Sequence, residues 1–226
     1  MQSLYSFLPK REGNLAHEID FFKKSYFNSF SLYLTLLAFL KSTYDHALGL
    51  KDLQRKLRTK KNTEQSTSLE GNKILQFIAK HPVLVDQINK RKIKFWELDF
   101  DYVKSNFKTL VESEKHQEYS QIETPSVEED REIITFFYKE IVAPSVGFYE
   151  YLEDKELTWI DDLPVVNTFI LKILKKINPN ELNSLLFPKM NIEDEDPRFA
   201  IELLEKVAVN NDALQKEMVG RTPNWD

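Results

Sequence analysis

Apolar residues at steps of three and four run through the first quarter of this 226-residue sequence. From His17 to Leu57 they fall on one helical face, at Ile19, Phe22, Tyr26, Phe30, Tyr33, Leu37, Leu40, Tyr44 and Leu48. These steps match the helical period of about 3.6 residues and do not fit a strand. Further apolar residues widen the stripe at Leu34, Leu36 and Phe39. The pattern predicts long helical structure covered on more than one side, with Gly49 as the expected break.

Shorter stripes of the same period predict helices along the rest of the chain. They cover about 73–79, 83–90, 99–116, 126–142, 148–152, 162–177, 196–208 and 214–218. Two of these helices have clear start signals. Pro82 prevents continuation of the helix before it, and Ser126 with Glu129 forms a capping box. The segment near 62–71 is polar, which predicts a mobile loop.

The glycine and cysteine contents narrow the fold class. Five glycines are few for the turns of a β-rich protein, so the sequence predicts an all-α, multi-helix bundle. Because there is no cysteine, the chain forms no disulfide, thiolate metal site or cysteine nucleophile, which fits a reducing cytosol. The sequence shows no signal peptide and no apolar stretch of bilayer length. We therefore expect a cytoplasmic protein with no membrane partner.

The second half of the chain contains a predicted internal repeat. Trp159 and Trp225 are 66 residues apart, and the same offset pairs Glu129-Asp130 with Glu195-Asp196. The apolar stripes that follow these acidic pairs superimpose without gaps. Any two amphipathic helices can be brought into phase, so a chance alignment is the alternative interpretation.

The repeat predicts a division of the chain into helical units. These are an N-terminal helical region at 1–122, a central unit at 123–178 and a second copy of that unit at 179–226. The first copy continues into a further helix after Trp159, whereas only Asp226 follows Trp225. We therefore expect the second copy to be truncated. A missing helix would leave an apolar groove that another copy of the protein could fill, so a homodimer is a further expectation.

No catalytic or metal-binding pattern stands out in the sequence. The histidines are scattered, at His17, His46, His81 and His116, and no pair has metal-ligand spacing. There is no Glu-x-x-His motif, no phosphate-binding glycine loop and no Gly-x-Ser-x-Gly elbow. Acidic pairs such as Asp161-Asp162 fall at helix starts, where negative charge is favoured. We predict no enzyme activity, metal or cofactor; a helical enzyme, the third possibility, would need convergent acids in a pocket.

Two basic clusters are the candidate RNA-binding residues. The first contains Arg55, Lys56, Arg58, Lys60 and Lys61, and the second contains Lys90, Arg91, Lys92 and Lys94. The second adjoins Phe95 and Trp96, and cations beside aromatic rings can hold single-stranded RNA by phosphate pairing and base stacking. Helix C-terminal ends also favour exposed cations, which is the alternative interpretation. The net charge of −5 argues against coating nucleic acid by bulk charge alone.

Several segments resemble NusB-type transcription antitermination factors. The stretch from Asp196 to Leu214, followed by Asn224-Trp225-Asp226, is similar to the family's central helices and the tryptophan turn after them. Gln2 to Phe7 resembles the second half of the family's first helix. Leu157 to Asp162 and Glu128 to Arg131 resemble an extended form of the family, which accounts for the long middle of the chain.

The resemblance implies a NusB-like helical fold and a role in antitermination during ribosomal RNA synthesis. In the family, NusB binds boxA-type single-stranded RNA together with NusE, a small-subunit ribosomal protein, and loads them onto the transcription machinery. The family's arginine-rich segment and the helices after the tryptophan have no counterpart here, so no family RNA-binding residue carries over. The alternative is a helical scaffold that binds protein partners without RNA. A single patch formed by both basic clusters would favour RNA binding, and dispersed charges would favour the scaffold.

Overall fold

One helix, α1 (Leu15–Arg58), covers 44 residues of the computed structural model. The structure describes residues 15–58, 69–181, 195–211, 213, 214 and 217, without the side chains of 54, 57, 58 and 195–197. Since α1 passes through Gly49 without interruption, the predicted break there is wrong. A helical glycine costs about 1 kcal/mol relative to alanine. Burial of the neighbouring Tyr44 and Ala47 outweighs that cost.

The other described helices are shorter and follow the predicted stripes, except for Phe95–Leu98, which no stripe predicts. They are α2 (Lys73–Lys80), α3 (Pro82–Arg91), α4 (Phe95–Leu98), α5 (Phe100–Glu112), α6 (Glu114–Ser120), α7 (Val127–Phe136), α8 (Val146–Lys155), α9 (Trp159–Leu174) and α10 (Glu195–Val209). A 3₁₀ turn at Leu69–Gly71 precedes α2, and a π-helix at Phe137–Val142 continues α7. The described residues contain no strand, so the prediction of an all-α bundle is confirmed.

The middle of α1 lies at the centre of the core. Nearly consecutive side chains are buried there, at Leu32, Leu34, Leu36, Leu37, Phe39 and Leu40. Burial on every face confirms that this helix is covered on more than one side. Phe39 packs edge-on against Trp96 and Phe148, with ring centroids 5.0 Å away in each case. Trp96 and Phe148 stack at 5.2 Å with planes 5° apart, which joins α1, α4 and α8.

Helix starts are set by the residues that the sequence indicates. Ser126 Oγ accepts a hydrogen bond from the Glu129 amide at 3.2 Å, and Glu129 Oε2 accepts from the Ser126 amide at 2.8 Å. These two bonds confirm the capping box. Pro82 occupies the first turn of α3, and His81 before it is extended, which separates α2 from α3 as predicted.

Two predicted segments differ from the structure. The single helix expected over 99–116 is divided at Ser113, which is extended (φ −73°, ψ 146°). Its hydroxyl accepts a hydrogen bond from the His116 amide at 3.2 Å and so caps α6. The loop expected near 62–71 ends earlier, because Leu69 and Glu70 are buried in the 3₁₀ turn. Residues 62–68 of that loop lie outside the described residues.

A buried polar junction joins α2, α6 and α7. The Asp130 side chain accepts hydrogen bonds from the Tyr119 hydroxyl at 2.5 Å and the Lys73 amide at 2.9 Å. Asn72 caps α2 through its side-chain oxygen, and its amide donates to the Asp130 carbonyl oxygen at 3.0 Å. Asp130 is only 1% exposed, so the junction is satisfied by protein groups.

The described residues fall into two units. Residues 29–181 belong to one, and residues 15–28 with those from 195 onward belong to the other. The predicted copies differ in burial: Ile133 is 1% exposed, whereas its counterpart Phe199 is 66% exposed. The tryptophan turn of the second copy, Asn224 to Asp226, lies outside the described residues. The repeat, its truncation and the boundaries at 122 and 178 stay predictions.

Candidate nucleic-acid interface

The α3–α4 turn (Lys90–Lys94) reverses the chain at the C-terminal end of α3. Lys92 adopts the left-handed conformation, with φ 54° and ψ 41°. The Lys92 amide donates to the Asn89 carbonyl at 3.2 Å, and the Ile93 amide donates to the Ile88 carbonyl at 3.0 Å. This hydrogen-bond pattern ends many helices, usually with glycine at the left-handed position. Here the position presents a cation instead.

The four cations of this turn are exposed but differ in their contacts. Lys90 pairs with Asp86 one helical turn earlier, at 2.8 Å. The Arg91 guanidinium donates to Ser31 Oγ at 3.2 Å and lies 4.9 Å from the centre of the Phe30 ring. Lys92 and Lys94 have no carboxylate within 4.0 Å among the described residues. These two lysines can therefore accept an external anion without breaking an ion pair.

The aromatic residues after the turn support the fold rather than the surface. Trp96 is 2% exposed, and its indole N–H donates to the Thr35 carbonyl at 2.7 Å. A ring this deeply buried cannot stack on an RNA base, so the base stacking considered for Trp96 from the sequence is wrong. Phe95 is half-buried and meets the Trp159 ring edge-on at 6.0 Å.

An acidic residue fixes the helix that follows the turn. Asp99, at the end of α4, accepts a hydrogen bond from the Tyr151 hydroxyl at 2.8 Å and lies 3.3 Å from Lys155 Nζ. The Tyr151 hydrogen bond, followed by the effect of Lys155, lowers the pKa of Asp99 below its usual value. An ionised Asp99 holds α4 against α8, so the helix that follows the α3–α4 turn is fixed in place.

The first basic cluster lies at the far end of α1. Arg55 and Lys56 are exposed there. Arg58 ends the helix but its side chain is not described, and Lys60 and Lys61 lie outside the described residues.

The structure does not bring the described parts of the two clusters together. Arg91 binds Ser31, and Arg55 lies 24 residues farther along the same helix (55 − 31 = 24). At about 1.5 Å per residue, the two positions are roughly 36 Å apart along the axis of α1. Arg55 and Arg91 therefore belong to separate surfaces.

A groove adjoins the α3–α4 turn, and sequence reasoning missed it. The α1/α3 groove has a volume of about 260 Å³. Its lining comes from α1, from α3, from the turn after α3 and from α4: Ala38, Lys41, Ser42, Asp45, Val85, Ile88, Asn89, Ile93, Lys94, Trp96 and Glu97. No short motif could reveal it, since its two walls are at least forty residues apart in the chain (85 − 45 = 40).

Another cavity is lined by polar groups that already bond to the protein. This cavity, of about 450 Å³, lies beside the π-helix and is lined by Tyr102, Asn106 and Glu140 among others. Glu140 contacts Lys139, and Asn106 donates to the Tyr102 carbonyl at 2.8 Å. In the described part of the chain, no group of three histidine or acidic residues could hold a metal ion. The α3–α4 turn and its groove are thus the most distinctive candidate site.

Compared with known proteins, the chain matches no family model, no curated protein and no solved structure. Among the helices that the structure describes, none combines the length and apolarity needed to cross a bilayer.

Proposed function

We propose that this chain is a NusB-type factor that acts in transcription antitermination, binding boxA-type single-stranded RNA together with NusE. The observation that supports this most directly concerns the residues that carry the resemblance. Asp130 forms the buried junction with α2 and α6, and Trp159 is 4% exposed at the start of α9. Residues that hold helices together constrain a fold, so a likeness at these positions has structural meaning.

Two further residues of the resemblance join distant parts of the chain. Arg131 Nη2 donates to the Ile177 carbonyl at 2.9 Å, which ties α7 to the segment that follows α9. Asp162 accepts a hydrogen bond from the Ser29 hydroxyl at 2.5 Å, which ties α9 to α1. The strings Glu128–Arg131 and Leu157–Asp162 therefore contain residues that hold this chain's helices together.

RNA binding in this proposal relies on exposed cations. The turn supplies Lys92 and Lys94, and the end of α1 supplies Arg55 and Lys56. Cations bind phosphates by displacing counterions, so binding is expected to weaken as salt rises. The function implies a cytoplasmic location, where transcription and ribosome assembly meet, and allows a homodimer.

The separation of the basic clusters favours a second candidate function. Arg91 and Arg55 lie roughly 36 Å apart along α1, so the described parts of the two basic clusters do not form a single patch. Exposed apolar residues on α9 and α10 could instead contact protein, at Ile160, Val165, Phe169, Phe199 and Leu203. In that case the chain is a helical scaffold that binds NusE or another protein without RNA.

One titration separates the two candidates. A fluorescent boxA-like RNA is titrated with the whole chain at about 50 and 200 mM salt, with and without NusE, and its anisotropy is measured. Salt-sensitive binding that NusE strengthens supports the antitermination proposal. Binding of NusE alone, with no RNA bound at either salt concentration, refutes the RNA-binding proposal and supports the scaffold.

A further inference from the structure

We propose that the α1/α3 groove receives one unpaired base of the RNA, while Lys92 and Lys94 bind the phosphates on either side of that base. The inference rests on the proposed function, and it assigns the contact with RNA to a specific site. It places the RNA against α1, α3 and α4, inside residues 29–181.

The size and lining of the groove fit a single base. Ligand pockets for whole small molecules occupy about 300–1,000 Å³, so a groove of about 260 Å³ suits a smaller group. Val85 and Ile88, which are half-buried, provide an apolar surface for the face of a base. The polar residues of the lining, Asn89, Asp45 and Glu97, provide donors and acceptors for its edge.

The charges around the groove fit the RNA backbone. Across the turn and the groove, five cations face three carboxylates: Lys41, Lys90, Arg91, Lys92 and Lys94 against Asp45, Asp86 and Glu97. Ion pairs to Asp45 and Asp86 engage Lys41 and Lys90. The cations left over include Lys94, which lines the groove itself, and Lys92 two residues earlier. A polyanion gains from this excess at the rim, whereas an apolar peptide does not.

The conformation of Lys92 is a separate observation that supports the same assignment. Glycine is the usual residue at φ near 54°, because a Cβ is disfavoured there. The Lys92 side chain makes no ion pair among the described residues that would offset this backbone cost. A phosphate contact gives the cation a role at a position where the fold alone would favour glycine.

The first test removes the two rim charges and uses a matched control. The control variant is Lys175→Gln with Lys176→Gln, which removes two exposed lysines at the end of another helix, α9. For Lys92→Gln with Lys94→Gln, the slope of log affinity against log salt should fall by about 1.4, or about 0.7 for each phosphate. The control should change that slope by less than about 0.3.

The second test separates charge from stability. Lys92→Gly relieves the left-handed backbone and removes the cation. The variant should therefore unfold at a higher temperature than the unaltered chain while binding the RNA about 3- to 10-fold more weakly. A variant that binds RNA as tightly as the unaltered chain overturns the phosphate contact at this residue.

The third test addresses the base. An abasic position is moved along an RNA of about twelve nucleotides, so that one base at a time is missing while every phosphate remains. At one position, the missing base should lower the affinity of the unaltered chain for the RNA by at least about 5-fold. In Ser42→Phe, which fills the groove and keeps all cations, the same abasic substitution should cause no further loss. Equal losses in both proteins overturn the groove assignment.

The outcomes distinguish the inference from the function on which it rests. If the unaltered chain binds the RNA and the Lys92 and Lys94 variants bind equally well, the site is wrong while the antitermination proposal stands. If the unaltered chain binds no RNA, both fail. If the variants lose NusE binding but keep RNA binding, the turn is a protein contact and the inference is overturned.

Discussion

Replacing Asp130 by alanine should destabilise the protein more than any surface substitution. Asp130→Ala removes two hydrogen bonds to a buried carboxylate, from the Tyr119 hydroxyl and the Lys73 amide. A hydrogen bond to a charged group contributes about 1.5–3 kcal/mol, so the two together contribute about 3–6 kcal/mol. Removal of a buried charge recovers part of this energy. We expect the free energy of unfolding to fall by about 3 kcal/mol.

The assay is urea unfolding followed by circular dichroism, with a double-mutant cycle. Tyr119→Phe removes only the hydroxyl and should cost about 1.5 kcal/mol. Because that hydroxyl bonds to Asp130, the double variant should be about 1.5 kcal/mol more stable than the sum of the single effects predicts. Asp101→Ala is the matched control, since the Asp101 side chain is 96% exposed and forms an ion pair with Lys104, one turn later on the same helix. It should change stability by less than about 0.5 kcal/mol.

Two results would refute the reasoning about the junction. One is a loss below about 1 kcal/mol for Asp130→Ala, which would mean that the desolvation cost of the carboxylate cancels its hydrogen bonds. The other is additivity of Asp130→Ala and Tyr119→Phe, which would mean that the hydroxyl and the carboxylate do not interact in solution.

Further expectations concern the core, α1 and α7. Burial raises the pKa of Tyr33 and Tyr138, so both stay protonated in the folded state while tyrosine in the unfolded chain ionises near pH 10. Their contribution to the free energy of unfolding is thus present below about pH 10. Above that pH it is lost by about 1.4 kcal/mol per pH unit for each tyrosine. A free energy of urea unfolding that stays constant from about pH 10 to 11 would contradict this. Gly49→Ala should raise the unfolding free energy by about 0.5–1 kcal/mol, since a Cβ at this helical position meets nothing within 4 Å; an unchanged denaturation midpoint would count against it. Ser126→Ala should lower the free energy of unfolding by about 1 kcal/mol in the same assay, and an unchanged value would mean that the capping box does not form in solution.

The helices could be predicted from the sequence because local signals and packing agree for most of them. The apolar stripe of α1, the proline at the start of α3 and the capping box of α7 each indicate the same boundary as the structure. At Gly49 the local signal and the packing disagree: glycine favours a break, but packing keeps the helix continuous. At Ser113 the side-chain hydroxyl competes with the helix for a backbone amide. The spacing of apolar residues does not reveal this competition, so the helix break there could not be predicted.

The candidate site was predictable only in part. Exposure of Lys90, Arg91, Lys92 and Lys94 follows from their charge, and the structure places these four residues on the surface. The burial of Trp96 depends on Thr35 and Phe148, which lie 61 residues before it and 52 after it (96 − 35; 148 − 96). The α1/α3 groove likewise depends on a tertiary contact. Features that arise between distant segments leave no local pattern in the sequence.

The burial of Trp96 gives the protein an internal optical reporter. Its indole is fixed by the bond to the Thr35 carbonyl and by stacking on Phe148. A fixed aromatic ring in an asymmetric surrounding produces near-ultraviolet circular dichroism, and this signal disappears when side-chain packing is lost even if helices remain. Since Trp96 also lines the α1/α3 groove, its share of that signal reports both the packing of the core and events at the groove.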